Sequence, residues 1–219
     1  MKVDRPSVKA SLCQNCHAYP HQCFCKELPK VTSKSNIQFI VHHRESHLSS
    51  NSAWPGHLVL QNSSFVQRGL PNQPLNPDDF LLKGNSYVLF PSEHAKVVDA
   101  NLADEIMQKE NFELFVPDGT WQQAQRMVKR EKMLHGLPHL IVNTKRISKY
   151  QLRKQPSEGR LCTLEAVIEL MKFFESEEVT NSLEWVLERH IVTNLQRRGL
   201  ISKEYYLKRI SEANKLLGR

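Results

Sequence analysis

Short apolar runs alternate with polar, helix-like stretches along most of this chain. Residues 36–41 open with Asn36 and continue I-x-F-I-V, which predicts a buried strand. Residues 57–60, 87–90, 112–116 and 139–142 read as four further strands. Between them, residues 99–110 predict a helix. Another helix is expected to start at Thr120, because Thr120 and Gln123 form a capping-box pair and Ala124, Met127 and Val128 recur at helical spacing. Residues 163–175 predict a helix with Thr163 as its N-cap and Glu165 set against the positive end of the helix dipole. Two more helices are expected over 181–198 and 202–217. Residues 61–79 hold Gly69, Pro71, Pro74 and Pro77 and read as a surface connection.

Strands alternating with helices imply an α/β fold with a largely parallel sheet. Ligands of such sheets sit beyond the carboxyl ends of the strands. Two segments fall at ends of this kind: Phe90-Pro91-Ser92 and Pro117-Asp118-Gly119-Thr120-Trp121. With 219 residues, 40% of them hydrophobic, the chain suits one ordinary globular domain with a small appendage. It has no internal repeat and no low-complexity tract. There are 8 glycines and no G-x-G-x-x-G after a predicted strand, so neither a dinucleotide fingerprint nor a P-loop is present. No apolar h-region follows Met1, and no apolar run approaches the length of a membrane span. A cytoplasmic protein without a membrane partner is the expectation.

Charge narrows the partners. The formal net charge is +7, which favours polyanions. The excess is concentrated: residues 126–154 hold nine bases against the single acid Glu131, a net of +8. Arg126, Lys129, Arg130, Lys145, Arg146 and Arg153 are therefore candidates for a phosphate-backbone surface, with a solvated helix face as the plain alternative.

Four of the five cysteines, Cys13, Cys16, Cys23 and Cys25, follow the spacing C-x2-C-x6-C-x-C. Pairs of thiolates joined by a short loop can close a tetrahedron around zinc. Disulfides fit less well, since nothing points to an oxidising compartment. Residues 10–30 thus read as a structural zinc segment, with His17 and His21 able to replace one thiolate, and residues 31–219 as the main domain. Cys162 reads as a small buried residue.

Asp118-Gly119-Thr120-Trp121 matches a D-x-T-W signature, and further blocks accompany it in order. These are the cysteine cluster, Leu89-Phe90-Pro91-Ser92 with Ala95, Trp121-x-x-Ala124-x-x-Met127, Tyr150-x-Leu152-Arg153-x-x-Pro156 and Leu161-Cys162-Thr163-x-Glu165-Ala166. Together they span roughly residues 13–170, and on them the chain resembles the DTW-domain tRNA-uridine aminocarboxypropyltransferases, in a short form like the bacterial group. Two departures occur. His42-His43-Arg44-Glu45 lacks the proline that often follows the first histidine, and Cys162 stands where serine is common. Asn51-Ser52 takes the place of an Asn-Thr pair.

The resemblance implies a SPOUT-related α/β domain with a knotted cofactor-binding region. It implies S-adenosylmethionine as donor, a tRNA uridine as acceptor at N3, and methylthioadenosine as the second product. It implies no protein partner and a monomer or homodimer, with the tRNA variable loop favoured over the D-loop. Asp118 becomes the candidate catalytic group. As a base it would draw the proton from the uridine ring nitrogen; it could instead orient the uracil or the donor's ammonium group, or cap the helix. Phe90, Pro91, Ser92, Thr120, Trp121, Leu161, Cys162, Thr163 and Glu165 become the candidate cofactor-binding residues. Trp121 suits stacking on a base or on adenine, or packing in the core. Glu165 suits the donor's amino group or the helix dipole, and Arg153 a carboxylate or a phosphate. The readings that compete are a SPOUT-like RNA methyltransferase and a non-catalytic zinc-containing RNA-binding module.

Overall fold

The computed structural model describes residues 12–70, 75, 80, 84–152 and 161–219. Among the described residues six strands form one sheet: β1 (Asn36–His42), β2 (Ser63–Arg68), β3 (Ser86–Leu89), β4 (Lys96–Val97), β5 (Glu113–Asp118) and β6 (His139–Ile141). Their order is β2-β1-β5-β3-β6-β4, and every pairing is parallel. The expected α/β class and parallel sheet are therefore observed, and all carboxyl ends lie along one edge.

Pleating divides the core in two. Ile37, Phe39 and Val41 of β1 and Leu114 and Val116 of β5 point to one face, with Ile40 and Phe115 to the other. The first face is covered by α1 (Ala53–Val59), α2 (Ala100–Met107), α5 (Thr163–Met171) and α6 (Glu177–Arg197). The second is covered by α3 (Trp121–Arg130) and α4 (Lys132–His135) through Ala124, Met127, Val128 and Leu134. Helix α7 (Lys203–Lys215) packs on α6, where Trp185 Nε1 donates to Asn214 Oδ1 at 2.9 Å. Among the described residues no helix is long and apolar enough to cross a membrane.

Three local readings change. Residues 57–60 are not a strand but the last turn of α1 and its cap, because Asn51 Oδ1 accepts the N–H of Trp54 at 2.8 Å and starts a helix there. That helix lies close to the sheet: a Cβ on Gly56 would come within 2.8 Å of Leu164 and 3.1 Å of Phe39. Residues 61–79 are not merely a connection, since the polar edge strand β2 begins at Ser63 and pairs with β1. The N-cap of α5 is Cys162 rather than Thr163, with Glu165 accepting the Cys162 N–H at 2.8 Å. The helix that begins at Trp121 behaves as expected: Thr120 is its N-cap and Gln123 completes the capping box.

Candidate functional site

Strand β5 ends on Asp118, whose side chain is 2% exposed. The carboxylate is held from two directions. Asn51 Nδ2 donates to Oδ2 at 2.5 Å, and the Thr163 hydroxyl donates to Oδ1. Asn51 precedes α1, Thr163 opens α5, and Asp118 itself lies two residues before the cap of α3. Residues at the amino ends of α1 and α5 thus meet a carboxylate that itself stands just before α3. The one-residue shift of the α5 cap matters here. Cys162 takes the capping position, which frees the Thr163 hydroxyl to reach Asp118. Gly119 keeps the turn narrow, since a Cβ there would sit 3.0 Å from Gln123 Oε1 and 3.3 Å from the Cβ of His42. Burial, with His43 and Arg44 alongside, pushes the His42 imidazole below its usual range and favours its neutral form.

Next along the same edge, Trp121 is 51% exposed and lies flat on Phe90, with centroids 5.2 Å apart and planes 13° apart. Phe90 is buried beneath it and meets His139 edge-on at 6.2 Å. His139 Nδ1 shares a 2.7 Å hydrogen bond with Ser92 Oγ, so Ser92 is anchored from β6. Pro91 and Thr120 are exposed beside this stack. The result is an indole face open to solvent on a rigid aromatic base. Leu161 and Cys162 are half-buried at the start of α5. Desolvation, with the Glu165 carboxylate beside it, pushes the Cys162 thiol well above its usual range, so it stays protonated.

Glu165 has no exposed surface. Its oxygens accept from Ser148 Oγ at 2.7 Å, from Lys149 N at 2.7 Å and from Cys162 N at 2.8 Å. It therefore braces the loop after β6 against the amino end of α5. Arg146 joins the same brace: it donates to Glu169 Oε1 at 3.0 Å and to both oxygens of Glu184, with Glu165 Oε1 at 3.9 Å from its Nε. Its cluster of carboxylates pushes the guanidinium above its usual range, against the effect of burial. Arg146 is thus turned inward, away from the exposed bases of its neighbourhood. Arg126, Lys129 and Arg130 lie exposed along α3, and Lys145 and Lys149 are exposed on the loop after β6. Arg153 lies outside the described residues.

The four cysteines also come together. Cys13 and Cys25 sulfurs are 3.6 Å apart, those of Cys16 and Cys23 are 3.7 Å apart, and all four lie within 4.8 Å of one another. A tetrahedral zinc with Zn–S bonds of about 2.3 Å requires sulfurs about 3.8 Å apart, so the set fits that ion. The thiols are unpaired as disulfides. Burial raises the Cys13 thiol, but backbone N–H groups of Cys16 and Asn15 outweigh it and bring the group down to about 7, towards the thiolate that a metal needs. The segment is seated on α6: Arg189 pairs with Glu27 at 2.9 Å and lies over Phe24 and Trp185, 5.3 Å from each ring. Four protein ligands leave no open coordination position, which suits a structural role.

Two residues that matter to this geometry carried little signal. Asn51 was visible only as part of a motif, although Asn three residues before a helical Trp54 is a capping pattern. His139 reads simply as the start of a strand.

The chain matches the DTW domain over residues 10–195. A relative from Drosophila melanogaster named tRNA-uridine aminocarboxypropyltransferase 2 is 27% identical over 179 residues, which cover 78% of this chain and 69% of the relative. No solved structure matches the chain.

Proposed function

The chain belongs to the DTW-domain family, and from that premise we propose that it transfers the 3-amino-3-carboxypropyl group of S-adenosylmethionine to N3 of a tRNA uridine. The observation that carries this reading is the meeting of three separate motif blocks at Asp118: Asn51, the Asp118–Trp121 turn and Thr163. A buried carboxylate held by Asn51 and Thr163 at the carboxyl edge of a parallel sheet is built to act on one oriented partner. The donor supplies an electrophilic carbon on a sulfonium centre. The ring nitrogen forms a bond to that carbon, the carbon–sulfur bond breaks, and its electron pair leaves with the thioether methylthioadenosine. The N3 proton must depart, and Asp118 is the acceptor we assign; such a base contributes roughly 10²–10⁴-fold.

The remaining residues divide by placement. Trp121 on Phe90 offers a stacking platform for adenine or a base, with Ser92 anchored nearby and Pro91 and Thr120 exposed beside it, while Leu161 and Cys162 at the start of α5 are assigned to the same cofactor. Arg126, Lys129 and Arg130 form an exposed cationic face along α3 that suits the tRNA backbone, and Lys145 and Lys149 are further exposed bases on the loop after β6. Glu165 and Arg146 hold the loop that closes on this edge rather than touch the substrates. Zinc on the four cysteines is structural. A SPOUT-related, knotted cofactor region belongs to the same proposal.

The test is a reaction of purified protein, unmodified tRNA transcript and S-adenosylmethionine, followed by nucleoside mass spectrometry. Aminocarboxypropyl-uridine with methylthioadenosine is expected, reduced by about 10²-fold or more in Asp118→Ala. Full activity in that variant overturns the role of Asp118. A methylated nucleoside, or no product across several tRNAs, overturns the assigned reaction.

A further inference from the structure

Asn15 stands between Cys13 and Cys16 of the four-cysteine cluster, and its carbonyl accepts the indole N–H of Trp54 at 2.5 Å. His17, with φ 57°, lies nearly parallel to the same indole, centroids 6.2 Å apart. Phe65 meets that indole edge-on at 5.0 Å, and His57 lies 5.5 Å from it. Trp54 is the second residue of α1, and its own backbone N–H is the group capped by Asn51 Oδ1. The amide of that same Asn51 donates to Asp118. A short series of links therefore runs from the backbone of the cysteine turn at Asn15 through Trp54 and Asn51 to the carboxylate. No long flexible side chain takes part in it.

We propose that Trp54 is a positioning residue that ties the cysteine turn to Asp118, so that the state of the metal site sets the orientation of the carboxylate. The proposal rests on the reading of Asp118 as the reacting group. The thiol set therefore has two effects: it closes the segment, and it holds α1 at the angle at which Asn51 reaches Asp118. Trp54→Phe keeps an aromatic ring against Phe65 and removes the indole donor together with part of the ring system.

The measurement is NMR of the ¹⁵N-labelled full chain loaded with zinc, observing the Asn51 side-chain amide, which is identified by its loss in Asn51→Ala. In Trp54→Phe that signal shifts while metal analysis still finds the zinc bound. Chelation moves the same signal in the unsubstituted protein and has little further effect in Trp54→Phe. In turnover, kcat falls about 10-fold with KM for tRNA unchanged, and the double variant with Asn51→Ala is no slower than Asn51→Ala alone. An Asn51 signal that is unmoved in Trp54→Phe, or losses that multiply in the double variant, overturns the proposal. Should Trp54→Phe fail to fold, the chelation titration of the unsubstituted protein decides: an unmoved Asn51 signal overturns the link. A link seen by NMR in a protein without aminocarboxypropyl activity upholds the coupling and removes only the assignment of Asp118.

Discussion

Replacing Glu165 by glutamine separates bracing from donor binding, because the change is isosteric and removes only charge and acceptor capacity. Glu165 is fully buried and takes three hydrogen bonds, two on Oε2 from Ser148 and Cys162 and one on Oε1 from Lys149. The best amide orientation keeps its oxygen at the Oε2 position and turns its NH2 towards the Lys149 N–H. Two donors then face each other in a buried place, which costs about 1–3 kcal/mol. The two surviving bonds lose their charge assistance, about 1 kcal/mol each. The sum is roughly 3–5 kcal/mol. For a chain of this size each kcal/mol lowers Tm by about 2–4 °C, so a fall on the order of 10 °C is expected. Calorimetry of the zinc-loaded protein with and without Glu165→Gln measures it. A Tm within about 2 °C of the parent, with activity lost, would refute the bracing argument and return Glu165 to the donor's amino group.

Two other perturbations probe the surface and the acid limb. Charge reversal of Arg126, Lys129 and Arg130 together should weaken tRNA binding and flatten its dependence on log salt by roughly 0.7–0.9 for each phosphate contact removed, with S-adenosylmethionine affinity unchanged; a salt slope equal to the parent's would exclude α3 from the RNA interface. Burial raises the Glu169 carboxyl, but hydrogen bonds from Lys172, Arg146 and Thr144 outweigh it and hold the group below its usual range. A depressed folded-state value gives stability that is complete above the unfolded value near ~4.3 and is lost as pH falls through the folded one. Glu169→Gln should therefore flatten the loss of stability on acidification, and denaturant titrations that stay parallel to the parent between these limits would contradict it.

The sheet and its edge were largely readable because their signals are local. The capping pair Thr120 and Gln123 sits directly after the apolar run of β5, and both features point to the same strand-to-helix turn. Residues 57–60 misled because Leu58-Val59-Leu60 is a short apolar run like that of a buried strand, while the helix start lies several residues earlier in Asn51 and Ser52. Strand β2 was hidden by its position at the sheet's edge, where Ser63-Ser64 and Gln67-Arg68 have no need to be apolar. The α5 cap was misplaced because cysteine is a poor advertisement for an N-cap beside a threonine. Arg146 shows the limit of counting charge along a line. Its neighbours Lys145 and Lys149 face solvent, but the carboxylates that turn Arg146 inward come from helices 23 and 38 residues further on. Asn51 and Asp118 are 67 residues apart, and no periodicity announces their bond.

Synthesis of the chain meets the seat of the cysteine segment in an awkward order. Glu27 leaves the ribosome 162 residues ahead of Arg189, its partner on α6. At about 5–20 residues per second the thiols wait roughly 8–30 s before the helix that shelters them exists. During that interval Phe24 has neither Trp185 nor Arg189 to cover it. An early zinc ion would keep the nascent thiols from oxidation and misplaced pairing, whereas the finished surface can be assembled only when the last third of the chain arrives.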